Sequence, residues 1–327
     1  MSLRRKIFYA FTLAVVAALL VLPATGWLAR LQLLPFTLRA ATVLPYAADD
    51  DSRAHYETQV AQTVAASGND FTLRYAHAMN TGFEEKDAKE SLSRLDALQQ
   101  EYPRNPVVLA AILNTMTHYA IKMNRPEEDL LSHSDRRGEY SSAKQEQSDP
   151  AQLAKFVALA ETGEDLEPDN AYFTVMAAWG YFASKQDEKA TAAWIRAGAK
   201  SKWNDHSNAQ IGAKWALQRA LNGGNETGAI ARMGSMAGAH FSHYAGMRSS
   251  ARMATVMALR AEQRGDKESG FVIRQASRRI GQNLQANSKS SIGNMVGGAI
   301  AILSLSRYGG EESVSNPYKD RTRRNAG

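Results

Sequence analysis

The chain has no cysteine among its 327 residues, only nine prolines, and few aromatic side chains. Without cysteine there are no disulfides, thiolate zinc ligands, cysteine nucleophile or thioether attachment of haem. A domain in an oxidising compartment would then depend on its apolar core alone, and the roughly 300 residues after the first thirty are enough for one. No run alternates valine, isoleucine and threonine with polar residues, as a half-buried strand does. Apolar residues recur at helical spacing nearly throughout, which predicts an all-α fold. Also missing are a phosphate-binding glycine loop, a paired-histidine zinc helix and a serine elbow. The expectation is therefore a protein that is not an enzyme and carries no cofactor.

Long apolar runs are missing too, with one exception. Arg4, Arg5 and Lys6 precede an uncharged stretch from Ile7 to Ala29, and the next charge is Arg30. As a helix at ~1.5 Å per residue, that stretch approximates the ~30 Å hydrocarbon core of a bilayer. A basic start and the small residues Ala24 and Gly26 also fit a cleavable signal. The long apolar core, Pro23 beside any cut, and Trp27 at interfacial position favour a retained transmembrane anchor over residues 1–30. Residues 31–50 stay apolar and read as an interfacial linker. Basic residues before the span outnumber those just after it, placing the N-terminus in the cytoplasm and the rest on the periplasmic or other extracytoplasmic side.

Charge is unevenly distributed. Residues 51–190 carry a net charge of −9 and residues 191–327 a net charge of +12. In the basic half the arginines, Arg248 and Arg252 among them, are spread along helices without interleaved aromatics, a pattern unlike a nucleic-acid surface. That half is suited to lipid headgroups or an acidic protein, or is simply a solvated surface.

Two helix ends share one logic. Asp87 to Glu101 ends in Tyr102-Pro103-Arg104-Asn105, and Ala151 to Glu167 ends in Pro168-Asp169-Asn170. In each, proline stops one helix and asparagine caps the next. Ala171 to Ser184 then forms a helix bearing Ala177, Ala178, Tyr181 and Phe182. After the turn Lys185-Gln186-Asp187, Glu188 to Ala199 returns with Ala190, Trp194 and Ala197 inward. Ala178, Tyr181, Ala190, Trp194 and Ala197 resemble the small and aromatic positions of the tetratricopeptide repeat, although Lys202 stands where that family places its proline. A fainter unit has Met257 and Ala258, the turn Gly265-Asp266, and Gly270 at the crossing; one fainter still pairs Phe71 to Asn80 with Asp87 to Tyr102. The resemblance implies an α-solenoid of stacked antiparallel helix pairs over residues 51–307, which offers extended surfaces to other proteins. The polar stretch 124–149 reads as an insertion, and the basic tail 308–327 as disordered.

Several residues are candidates for more than packing. His240 and His243 lie three apart among Met233, Met236, Met247, Met253 and Met257, which either bind a metal, haem or small ligand or fill an alanine-rich core. Trp203 and Trp215 are either an exposed partner contact, together with Arg248 and Arg252, or part of the interior. Ser290 to Ser306 is uncharged, and is either a second span or the last packed helix. The function these features predict is a membrane-anchored helical-repeat scaffold, or an accessory subunit of a larger membrane complex, that binds proteins and not nucleic acid. The alternative is an envelope module holding a ligand near His240 and His243.

Overall fold

A computed structural model describes residues 50–79, 85–123, 125, 127, 131, 148–225, 243–288 and 290–306. The proposed anchor, most of the insertion, His240, Met233, Met236 and the basic tail lie outside these residues. Among the described residues there are eleven helices and no strand. They are α1 (Asp50–Ala66), α2 (Phe71–Ala78), α3 (Glu85–Glu101), α4 (Pro106–Tyr119), α5 (Pro150–Leu166) and α6 (Ala171–Ala183). Then follow α7 (Asp187–Ala199), α8 (Ser207–Leu221), α9 (His243–Gln263), α10 (Lys267–Asn287) and α11 (Ser291–Leu303). No described helix is long and apolar enough to cross a membrane. That includes α11, so within the described residues Ser290 to Ser306 is a packed helix and not a span.

The helices fall into two compact units. One contains α1, nearly all of α2, and α8 from Ile211 onward. Val60, Tyr75 and Ala76 are buried there, and burial raises the Tyr75 hydroxyl far above its usual pKa. Asn69, at φ 79°, lets the chain reverse between α1 and α2, and Asp70 Oδ1 accepts from Leu73 N at 2.9 Å to open α2.

The second unit holds α3 to α7 and α9 to α11, and its layering follows from the caps. Asn105 Oδ1 accepts from Val107 N at 3.0 Å with Pro106 in the first turn of α4. Asn170 Oδ1 accepts from Tyr172 N at 3.1 Å to start α6. Asp149 opens α5 the same way. Consecutive helices α3 through α7 pack side by side, and α9/α10 lie against α6/α7, with α11 closing on α10 and α9. Stacked helix pairs are thus present. α6 is buried on nearly every side, and α7 turns Ala190, Ala193, Trp194 and Ala197 inward.

What holds the layers together is small residues facing large ones. Trp194 Nε1 donates to Ser277 Oγ at 2.8 Å, tying α7 to α10, and a methyl group on Gly198 would lie 2.5 Å from Ala276 Cα. The indole of Trp179 covers Gly246, so α9 crosses α6 without room for a Cβ. α10 also crosses α11 backbone to backbone. A Cβ on Gly281 would lie 2.5 Å from the Gly297 carbonyl oxygen, and one on Gly297 would lie 2.6 Å from that of Gly281. The turn between α9 and α10 uses Gly265 at φ 89° and Asp266, whose carboxylate accepts from Ser269 N at 3.0 Å.

The inserted segment is fixed at its base. Lys122 N donates to Ser148 Oγ at 2.8 Å, which brings the two ends of the segment together. Arg125 is nearly buried; it donates to the Phe182 carbonyl at 3.1 Å and to both carboxylate oxygens of Asp187 at 2.7 and 3.0 Å. This cation therefore sits where α6 ends and an anion where α7 begins, the polarity both helix dipoles favour. Glu127 joins the cluster through Arg125 and, at 3.4 Å, Arg260; the hydrogen bond from Arg125 lowers its carboxyl to about 2. Leu131 packs on Val256 and Leu259 of α9.

Candidate functional site

His243 is the histidine of the candidate pair that lies within the described residues, and it sits at the centre of a polar network. The network begins with residues 200–206, an extended strap beside the start of α6. Ala171 N donates to the Lys202 carbonyl at 2.9 Å and Lys202 N to the Asp169 carbonyl at 3.1 Å. Asn170, besides capping α6, donates to the Asn204 carbonyl at 2.8 Å and accepts from Asn204 N at 2.9 Å. The strap ends at His206, whose φ of 57° turns the chain into α8. Its Nε2 meets Glu167 Oε2 at 3.1 Å.

That turn carries Asp205 inward. Its Oδ1 accepts from Ser207 N and Oγ at 3.0 and 2.7 Å, and its Oδ2 lies 3.2 Å from both His243 Nε2 and the Tyr244 hydroxyl. Burial alone would raise this carboxyl. The hydrogen bond and charge of His243, with the two bonds from Ser207, outweigh it and hold Asp205 well below the usual carboxylate range. The Tyr244 hydroxyl moves the other way, to about 12, because it is buried and faces the Asp205 charge. Tyr172 closes the site: its ring stands edge-on to His243 at 5.8 Å and to Trp203 at 5.9 Å, while its hydroxyl donates to Asn114 Oδ1 at 2.7 Å.

A histidine on a carboxylate is the arrangement that orients a general base. Here the imidazole is fully buried, and Ser207 donates its hydroxyl to Asp205. The arrangement fastens α9 to the strap, and so to α6. Among the described residues no group of three or more His, Cys, Asp or Glu is placed to hold a metal. Met247 and Met253 are fully buried in helix interfaces and Met257 packs on the Leu131 cluster, which is the core-filling alternative for these thioethers.

The partner-contact candidates separate. Trp203 is 6% exposed and packs its ring against Tyr172, so of the two readings open for it the interior one describes its place: the strap carries it inward. Trp215 and Arg252 are half-buried, and Arg248 is exposed. Arg4, Arg5, Lys6 and Trp27 fall outside the described residues, as does His240. Sequence reasoning missed Asp205, because 38 residues separate it from His243. One signal was available, a lone acid six residues after the proline-free end of α7, and it is a weak one.

Two surfaces remain. A shallow cleft of about 500 Å³ on α3, lined by Lys89, Leu92, Ser93, Asp96, Ala97, Gln100 and Tyr119, is open to solvent, and Lys155 Nζ holds Asp96 at 2.7 Å. The other is the outer side of α11. Gly293, Val296, Gly297 and Ile300 are buried, whereas Met295 is 67% exposed and Ile302 70%, with Ile292 and Leu305 also exposed. At 100° per residue, Met295 and Ile302 stand roughly 140–160° round the helix from Gly297. They therefore face away from α10, where a further helix of the stack would lie. Comparison with protein-family models, curated proteins and solved structures finds no match for the chain.

Proposed function

We propose that this chain is a non-enzymatic, membrane-anchored helical-repeat protein that binds other proteins, as a scaffold or an accessory subunit of a membrane complex. The observation that carries this reading is the apolar outer side of α11. A helix that borders water in such a stack carries a polar outer face; the last described helix instead exposes Ile292, Met295 and Ile302. A contiguous exposed apolar patch of that kind is characteristic of a protein contact. The stretch Ile7–Ala29 supports the anchor, and the basic residues Arg4, Arg5 and Lys6 support a cytoplasmic N-terminus with the helical stack on the far side. Tethering raises the effective concentration of such a surface towards its membrane neighbours. Exposed Arg248, on α9 in the same basic half, is proposed as a separate contact for an acidic protein segment.

The test is gentle detergent extraction of tagged full-length chain, followed by identification of co-purifying proteins. It is done in parallel with a variant carrying Met295→Asp and Ile302→Asp. The expected result is a defined partner set that the variant loses. Recovery of a monomeric chain alone refutes the proposal.

A further inference from the structure

We infer that the occupant of the α11 face is a second copy of this chain, packed across a twofold axis beside Ala299. The inference rests on the reading of that face as a protein-binding surface and names its partner.

The first argument is the pattern of the stripe. Its members on α11 are Ile292, Met295, Ala299 and Ile302, with large side chains flanking the small Ala299, and exposed Leu305 follows in the turn just past the helix. Two copies of α11 crossing antiparallel about that centre bring Met295 of one copy to Ile302 of the other. A twofold interface demands such self-complementarity, in which each residue finds its counterpart from the same stripe. Half-buried Ala299 allows the two helices to approach at the axis.

The second argument is charge. From Ser290 to Ser306 no residue is charged. A partner of opposite charge would find nothing to read there, whereas two identical neutral faces meet without repulsion. Charge lies at the rim instead: Arg278 and Arg279 are exposed on α10, beside the stripe rather than in it.

The third is area. Phe271, 62% exposed, extends the patch. It lies one turn before Arg274, whose guanidinium bonds the Ser304 and Ser306 carbonyls at 2.7 and 2.9 Å, on the stretch of α10 that meets the end of α11. At ~200 Å² for a large side chain, the five exposed residues present roughly 600 Å² of apolar surface. A standard interface takes about 800 Å² from each partner, so this patch with its polar rim makes a modest dimer. A membrane tether would favour it further.

The absence of cysteine makes the test clean. Full-length Ala299→Cys in detergent or native membrane is oxidised with copper phenanthroline, beside Gln282→Cys, which is exposed on α10 off the stripe. A disulfide requires Cα atoms within about 7 Å, and only the axis position provides that between copies. The expected result is a covalent homodimer from the Ala299 variant and none from the control. Sedimentation of the uncrosslinked chain should show a dimer whose dissociation constant rises at least ~100-fold in the Met295→Asp, Ile302→Asp variant, with helical circular dichroism unchanged. Ala299→Cys joined to a different protein overturns the second copy but preserves the protein-binding reading. No crosslink, with a co-purifying set that the aspartates leave untouched, removes both.

Discussion

Replacing Gly281 by alanine tests the backbone-to-backbone crossing of α10 on α11. The new Cβ would sit 2.5 Å from the Gly297 carbonyl oxygen and 2.8 Å from Ala301 N. Both are backbone atoms inside a helix, so no side chain can swing away, and α10 and α11 must part by nearly 1 Å. Overpacking of this kind costs ~1–3 kcal/mol. Alanine returns up to ~1 kcal/mol through its higher helix propensity, leaving a net loss of about 1–2 kcal/mol. The same substitution at Gly212, in α8, meets nothing within 4 Å and is expected to stabilise by ~0.5–1 kcal/mol. Urea unfolding followed by far-UV circular dichroism and tryptophan fluorescence checks both. At a slope of ~2 kcal/mol/M the midpoint should fall by roughly 0.7 M for Gly281→Ala and rise by roughly 0.3 M for Gly212→Ala. A rise in both would refute the argument, since it would mean that α10 and α11 do not touch backbone to backbone.

Arg125→Ala removes a nearly buried cation from the Phe182 carbonyl and Asp187; a loss of about 3 kcal/mol is expected, together with faster proteolysis within 124–149, checked by limited digestion and mass spectrometry. Asp205 has a lowered carboxyl pKa, so its stabilising contribution is full above the ordinary value of ~3.9 and is lost as pH falls below it. Asp205→Asn should flatten the acid arm of an unfolding series below pH ~4 while lowering stability at neutral pH; an unchanged acid arm would contradict the assignment. Trp194→Phe removes the N–H donated to Ser277 and leaves a small void; roughly 2 kcal/mol is expected, measured by the shift in urea midpoint.

Helix pairing was legible because it is written locally. Asn105 and Asn170 cap as their positions predict, and Ala190, Trp194 and Ala197 turn inward at the spacing of one helix face. Gly265 and Asp266 make the turn expected of them. The polar network was not legible, because its parts come from different layers. Residues 200–206 have neither helical nor strand periodicity, and nothing in them announces that they lie along Asn170 and carry Asp205 to His243. Trp203 stayed open for the same reason: an aromatic in an irregular segment reads either way until its neighbours are known. The outer face of α11 was hidden differently. Glycine on one side and large apolar residues on the other give a helix that is apolar all round, which sequence alone reads as buried or lipid-facing.

The bond between Lys122 and Ser148 has a use of its own. Because both ends of the intervening peptide meet at one point, the helices on either side are indifferent to how much chain passes between them. A fluorescent protein or an epitope grafted after Leu131, within residues 132–147, would leave Arg125, Glu127 and Leu131 in place and need not prise α4 from α5, giving a label for following the chain in cells.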